Sequence, residues 1–450
     1  MSRFTAPQST PRTRRNLRTV LALGTATAAL ALTACGAGSD MGGVGVACDI
    51  PMPESNTTVN VLSYNSPSTD PFTNAVASGC TTGTLTVNAP ATDFAGQNQR
   101  ATQSMSGTSP SYDLIEVYGT VYPLYAEHGW IDSLDDQIAA NGDALGLDDV
   151  DPVLMEQLQY EGEQFGIPTF WGTIIFVYRQ DIFDDLGLDV PTTYAEMIAA
   201  AEAITAETGM VDPLALPFNS AGDISTAYNQ ALGSLGGNWF ADGEATPTID
   251  TPESIAALDT LRSTYLAMNE QSTSWSSPEV ITQLQTGQAA MSMLFAGRVS
   301  ALLDADQTDL FADFGFAVPP SVIAGGTPST SLSVDGFSIA SNTEVDKDLM
   351  FELLGVATGA DAAAEAAGAT IPARNTQAQA ADLPFEPAAR AVLESERPNG
   401  LPHLPYMSDV YAGMAPILTQ VVNGTISSTE GAAQLQAAAV TAIAAAGYTP

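Results

Sequence analysis

Lysine occurs once in this 450-residue chain, at Lys347, histidine only at His128 and His403, and cysteine only at Cys35, Cys48 and Cys80. Two isolated histidines leave no cluster for a zinc site and no partner set for a Ser-His-Asp triad. There is no G-x-S-x-G, no P-loop, no G-x-G-x-x-G and no H-E-x-x-H, so acyl transfer, nucleotide binding and zinc proteolysis have no motif to stand on. Neither a cofactor nor a metal is implied. Acidic pairs are plentiful, but without a positioned partner they give a glycosidase reading little support. Basic residues are scarce as a class, thirteen against 51 acids. Five of them (Arg3, Arg12, Arg14, Arg15, Arg18) precede residue 20, where there are no acids, which leaves eight against 51 and a net charge of −43. Such a field repels nucleic acid and anionic lipid and disfavours an anionic substrate. It reads either as a solvated acidic surface suited to a salty habitat or as an attraction for a cationic ligand.

Long apolar runs are also missing from the interior, and none reaches the length of a membrane span. The one such run, 20–34, follows the arginines and leads into small residues before Cys35, the pattern of a signal peptide over 1–34. Leu32-Thr33-Ala34-Cys35 matches the bacterial lipobox, in which the cysteine is acylated, so Cys35 is expected to anchor the chain to the outer face of a bilayer. Thr13-Arg14-Arg15-Asn16-Leu17 resembles a twin-arginine signal, and the export route stays open. Residues 35–57, rich in Gly, Pro and Ser, read as a lipid-anchored flexible tether. In an oxidising compartment the remaining Cys48 and Cys80 are expected to form a disulfide; a metal or redox pair lacks C-x-x-C spacing and nearby histidines.

From residue 58 the chain alternates strand and helix: strands at 59–64, 84–88 and 112–117, with helices between them and at 124–130 and 134–140. That succession predicts a parallel sheet covered on both faces, with ligands at the carboxyl ends of its strands. Tyr64, Asn65, Asp93, Phe94, Tyr118 and Thr120 then share one rim. Gly166 and Pro168 predict a turn, followed by an apolar strand at 173–178 and a helix ending at Gly187. Helices are predicted at 194–208, 224–235, 251–268 and 278–286, and strands at 289–295 and 314–318 give this region its own sheet and core. A strand at 333–340 precedes helices at 347–358, 360–367, 387–396, 411–422 and 429–446. Aromatic residues stand beside loops in both halves: Tyr64, Phe94, Tyr118, Trp171, Trp239, Phe295 and Phe337. Taken singly each is core; taken together with nearby amides and carboxylates they suit a sugar, which offers C–H faces to stack on and hydroxyls to pair.

The run Gly166-Ile167-Pro168, Trp171-Gly172, Tyr178-Arg179-Gln180-Asp181-Ile182-Phe183, Leu186-Gly187-Leu188 and Pro191-Thr192-Thr193-Tyr194-Ala195-Glu196-Met197 resembles the central signature of extracellular solute-binding proteins that serve sugar ABC importers. Thr286-Gly287-Gln288-Ala289-Ala290-Met291, Asp335-Gly336-Phe337-Ser338-Ile339-Ala340 and Ile371-Pro372-Ala373-Arg374 extend the resemblance in the same order. It implies an α/β, two-lobe, periplasmic-binding-protein-like fold of type II, with a ligand cleft between lobes joined by crossing hinge segments. Lobe 1 would take 58–168 plus 328–378, and lobe 2 would take 169–327 plus 379–450. Carried over position by position, the groove residues are Tyr64, Asn65, Asp93, Tyr118, Trp171, Gly172, Asn219, Trp239, Phe295, Arg298, Asp335, Gly336 and Phe337. The chain departs from the family in three places: no tryptophan follows the first strand, none stands at Leu294-Phe295-Ala296, and Asp335 replaces the first glycine of a Gly-Gly pair. The implied function is non-enzymatic capture of a carbohydrate by lobe closure and its delivery, by a monomer, to a membrane permease. A receptor for a cationic or zwitterionic solute (polyamine, betaine) and a secreted carbohydrate-active enzyme are the alternatives. Whether Arg298 and Arg374 reach the groove or brace it stays open.

Overall fold

The structure is a computed structural model that describes residues 46–449 apart from 108–110, 144, 242–245, 269–273 and 396–401. The described residues all belong to one compact unit. Cys35 and the expected signal peptide therefore lie outside the described residues. Among those described, no helix is long and apolar enough to cross a membrane.

Among the described residues ten strands are present: β1 (Thr57–Leu62), β2 (Leu85–Asn88), β3 (Leu114–Tyr118), β4 (Gln159–Tyr160), β5 (Glu163–Gln164), β6 (Ile167–Arg179), β7 (Met291–Phe295), β8 (Phe314–Ala317), β9 (Leu332–Ile339) and β10 (Ile371–Pro372). The main sheet runs β10-β6-β9-β3-β1-β2, with β7 and β8 also pairing β6, while β4 and β5 form a small hairpin. Among the strand pairs of the described residues, β1–β2 and β1–β3 alone are parallel. Every pairing made by β9 and β6 is antiparallel, so the sheet is mixed rather than parallel throughout. Strand-helix alternation holds for the first three strands only; β9 returns from a distant part of the chain and enters the sheet in the opposite sense.

The turn expected at Gly166 and Pro168 is absent. A single 13-residue strand runs through both Pro168 and Phe170-Trp171-Gly172, a length of roughly 43 Å at strand rise. Proline has no N–H to give a ladder, and here it sits at a register shift between Pro168 and Phe170, where one fewer donor is needed. Nor do 289–295 and 314–318 form a separate sheet: β7 and β8 pair with the second half of β6, whose first half pairs with β9 and β10.

Two cores follow from that arrangement. One packs the helices Asp70–Ala77, Lys347–Ala357 and Ala360–Ala366 on β1, β2 and β9, through Val59, Phe72, Leu85, Met350 and Leu354. The other packs Tyr194–Thr208, Ala221–Ser234, Pro252–Leu266, Met407–Val422 and Ser428–Ala445 around Phe176, Tyr228, Trp239 and Met414. A third buried cluster includes Tyr122, Leu154, Trp171, Ile175, Leu294, Ile371 and Phe385. The predicted helix at 194–208 starts at a capping box in which the Thr193 hydroxyl accepts from Glu196 N–H and the Glu196 carboxylate accepts from Thr193 N–H. Cys48 and Cys80 are disulfide-bonded, and Val46 and Ile50 pack against the first core. Residues 46–50 are thus held on the body rather than running free as far as residue 57.

Candidate functional site

Tyr64 follows β1 and holds two carboxylates at once. Its backbone N–H donates to Glu116 Oε2 at 3.0 Å, and its phenol donates to Asp335 Oδ2 at 2.8 Å. Glu116 lies on β3, and its other oxygen accepts the Thr69 hydroxyl at 3.0 Å. Asp335 lies on β9 opposite Tyr118, and its carbonyl accepts from the Thr169 hydroxyl at 3.0 Å. The Tyr64 and Tyr118 rings meet edge to face, with centroids 6.2 Å apart. Tyr118 in turn donates to Asn98 Oδ1 at 2.7 Å. Sheet register thus brings together residues from three segments, at the carboxyl ends of β1 and β3 where loops leave the sheet.

Both carboxylates are buried, Glu116 at 1% and Asp335 at 6% exposure. Removal from water disfavours the charged form, so burial pushes Asp335 up to about 7 and drives Glu116 well above the usual carboxylate range. The Tyr64 hydrogen bond, the Ser333 hydroxyl and the charge of Arg298 work in the opposite direction on Asp335. Burial also raises the Tyr64 phenol well above its ordinary value, which keeps it a donor. Near neutrality the cluster therefore carries less negative charge than two carboxylates would suggest. Arg298 is exposed and makes no ion pair among the described residues; it stands on the short helix Ala296–Val299 after β7.

That short helix brings the second half of the chain to the same place. A methyl group added at Gly172 on β6 would lie 3.8 Å from Gly297 N, and one added at Gly297 would lie 3.6 Å from Ser68 Oγ and 3.7 Å from Thr370 Oγ1. Segments around residues 68, 172, 297 and 370 converge beside the Tyr64 cluster.

The other candidates fall at varying distance from this centre. Asn65 is exposed, and its side-chain oxygen accepts from Thr92 N–H at 2.8 Å, tying the loop after β1 to the loop after β2. Asp93 caps the helix Phe94–Met105, accepting from Gly96 N–H at 2.6 Å. The Phe94 side chain lies outside the described residues. Trp171 is buried between Val334 and Ile371 on the neighbouring strands. Phe337 is buried in the first core, and Gly336 sits where an added methyl group would come 2.4 Å from the carbonyl oxygen of Ile167, so only glycine lets β6 and β9 approach this closely. Trp239 is packed inside the second core against Tyr228 and Tyr411, at 5.5 and 5.3 Å. Asn219 is exposed ahead of the helix Ala221–Ser234, and its N–H donates to Trp275 O at 2.9 Å. Phe295, part-exposed at the end of β7, and Tyr64 are the two candidate aromatics among the described side chains that keep solvent-facing surface.

Arg374 is a brace. Its guanidinium donates to the carbonyls of Thr358, Gly146 and Leu145 at 2.7, 2.7 and 2.8 Å. Ser68, Thr69 and Thr370 were not singled out by sequence reasoning, since hydroxyls in a loop carry no distinguishing signal. Glu116 did leave one: an acid inside the apolar strand Leu114–Tyr118 has to find partners when buried. Among the described residues no group of three or more His, Cys, Asp or Glu could hold a metal ion.

Comparison with known proteins gives a consistent picture. Residues 81–364 match the bacterial extracellular solute-binding protein family. A probable amino-acid ABC transporter periplasmic-binding protein of Sinorhizobium fredii is 23% identical over 188 residues, 40% of this chain and 43% of that protein. The aligned stretch thus spans less than half of that curated relative. Among solved structures, an ABC transporter solute-binding protein from Agrobacterium radiobacter, in complex with ribitol, superposes with a TM-score of 0.75 at 19% identity, covering 87% of this chain and all of that one. Maltose-bound MalE3 of T. maritima superposes with a TM-score of 0.74 at 15% identity, covering 85% and 99%. At such identity the likeness carries the fold, which is the two-lobe α/β fold of periplasmic binding proteins.

Proposed function

The chain belongs to the bacterial extracellular solute-binding protein family, and from that premise we propose that it captures a small carbohydrate or polyol for an ABC importer and passes it to the membrane permease. The observation that carries the reading is the convergence of Tyr64, Asp335 and Glu116 with Gly172, Gly297 and Arg298, which sets hydroxyl, carboxyl and guanidinium groups beside part-exposed aromatic side chains. A carboxyl that accepts, a guanidinium that donates and a ring that stacks are what a sugar hydroxyl pair and its C–H face require. The ribitol and maltose carried by the similar structures agree with that chemistry. No reacting group is called for: a solute that touches both lobes favours the closed form over the open one.

On this reading the lobes take 58–168 plus 328–378 and 169–327 plus 379–450, the protein acts as a monomer, and an acyl group on Cys35 holds it at the outer face of the membrane. The further site residues are Asn65, Asp93, Tyr118, Trp171 and Asn219. A cationic or zwitterionic solute is the second reading, favoured by the excess of 51 acids over 13 basic residues.

The test is a thermal-shift screen of the purified protein against sugars, polyols, betaines and polyamines. A ligand at a hundred times its dissociation constant adds about 2.7 kcal/mol to stability. A shift with one class of sugar or polyol upholds the reading. Shifts with cationic solutes alone would replace it with the second, and turnover of a glycoside would overturn both.

A further inference from the structure

A cavity of about 40 Å3 lies within the second core, between the β6–β7 pair and the helices Ala221–Ser234 and Ser277–Gln285. The side chain of Gln230 lines it at 6% exposure and makes no hydrogen bond among the described residues. A buried amide has two donors and one acceptor to satisfy, and an apolar side chain of similar size would fill the same place without that demand. Asp223, Thr226 and Phe295 form a part-exposed mouth, while Phe218 and Gln230 are buried deeper in. Phe295 leads directly into the short helix whose Gly297 faces Ser68 and Thr370, so the mouth opens beside the Tyr64 cluster.

We propose that this cavity is a subsite that receives the terminal hydroxymethyl group of a neutral polyhydroxylated solute, its hydroxyl paired by Gln230 and its C–H face covered by Phe295. The assignment rests on the carbohydrate reading above and deepens it. Size sets the occupant: a water needs on the order of 10–15 Å3 of such volume, so the cavity admits a C–OH end of two or three heavy atoms and excludes a whole ring. Chemistry sets its charge. The buried polar groups in the lining are the Gln230 amide and the Ser277 hydroxyl, both neutral, and the Asp223 carboxylate at the mouth is already held by the Ser220 and Ser277 hydroxyls, so the lining pairs a hydroxyl and sets a like charge against a carboxylate.

The experiment is calorimetric titration of the full chain and of Gln230→Leu with ribitol, D-mannitol, D-glucose and maltose, alongside the unliganded Tm of each protein. Gln230→Leu is expected to bind at least tenfold more weakly whichever of these the native protein holds, with an unliganded Tm little changed, because the Gln230 side chain makes no hydrogen bond among the described residues for the change to remove. Thr226→Leu narrows the mouth from a part-exposed helix position and leaves Gln230 in place, so it should weaken the same ligand at least tenfold even if Gln230→Leu does not fold. Unchanged affinity in both variants overturns the subsite and leaves the carbohydrate reading standing. A lower Tm with unchanged affinity in Gln230→Leu makes the cavity a structural water site and overturns it as well. Failure of all four ligands to bind the native protein overturns the assigned occupant, and the broad screen above then reports separately on the carbohydrate reading.

Discussion

Asp335→Asn removes one carboxyl from the buried cluster while keeping an oxygen to accept the Tyr64 hydroxyl. Burial raises Asp335 from 3.8 to about 7, so the folded protein binds a proton in a range where the unfolded chain has released it. A raised folded value gives stability that is complete below the unfolded value and is lost as pH rises through the folded one. The window is therefore about pH 4 to 7, and stability falls across it. The native protein should therefore lose stability on the order of a few kcal/mol between pH 5 and pH 8 through the cluster that holds this group. Urea unfolding of native protein and Asp335→Asn at matched ionic strength reads the coupled pair, because Asp335 also raises Glu116 while the pH dependence from acids outside the cluster is common to both. The native-minus-variant difference should shrink steadily from pH 5 to pH 7 and level off by pH 8. Parallel profiles for the two proteins would refute the buried-carboxyl argument and show Asp335 solvated as any surface acid is.

Tyr64→Phe deletes a hydrogen bond that favours the charged form of Asp335, so the midpoint of that pH profile should move upward; an unmoved midpoint in the same titration would show that the phenol does not govern the carboxyl. Opening the disulfide by Cys48→Ser, across a sequence separation of 32 residues, should lower the free energy of unfolding by about 3.7 kcal/mol on the loop-entropy relation, read from the urea midpoint under oxidising conditions. Gly336→Ala places a methyl group 2.4 Å from the Ile167 carbonyl oxygen and should destabilise by about 3 kcal/mol or more, with the loss visible in the same assay.

Elements with their own punctuation were legible in the sequence. The helix Tyr194–Thr208 begins at Thr193 with Glu196 three residues on and ends at Gly209 with φ of 75°, so both ends are set by local chemistry. The disulfide followed from having only two cysteines left to pair. β6 was cut short because Gly166 and Pro168 read as turn residues, and only its pairing with β9 reveals that the missing N–H falls at a bulge. The fate of the aromatics was equally hidden. Trp239 is buried because Tyr411, 172 residues further along the chain, comes back to cover it, and nothing beside Trp239 in the chain announces that contact. The carboxylate pair was half visible: Asp335 stood out as an acid in place of a glycine, but its link to Glu116 runs through the backbone and side chain of Tyr64, which local pattern does not encode.

What ties the site to the fold is the length of β6. At Gly172 and Thr173 it still pairs with β9, and from Ile174 it pairs with β7, so one strand belongs to both cores and changes partners within two residues. The Thr173 and Thr330 hydroxyls are hydrogen-bonded to each other at that handover, and Thr330 also donates to Ile174 O at 3.3 Å, which fixes the chain entering β9 to the point where β6 leaves it. The two glycines nearby show how differently the two sides of the crossing are built. Gly336 has no room for a methyl group, because strand pairing there is close and permanent. Gly172 has ordinary van der Waals room, 3.8 Å to Gly297 N, because its neighbour across the gap is a loop-to-helix junction and not a paired strand. A ladder on one side and an unladdered contact on the other distinguish the two sides of the crossing: the carboxyl cluster is held on β3 and β9, while the segment bearing Phe295, Gly297 and Arg298 has no strand pairing beyond Phe295 and is held by the buried Ala296 and Val299.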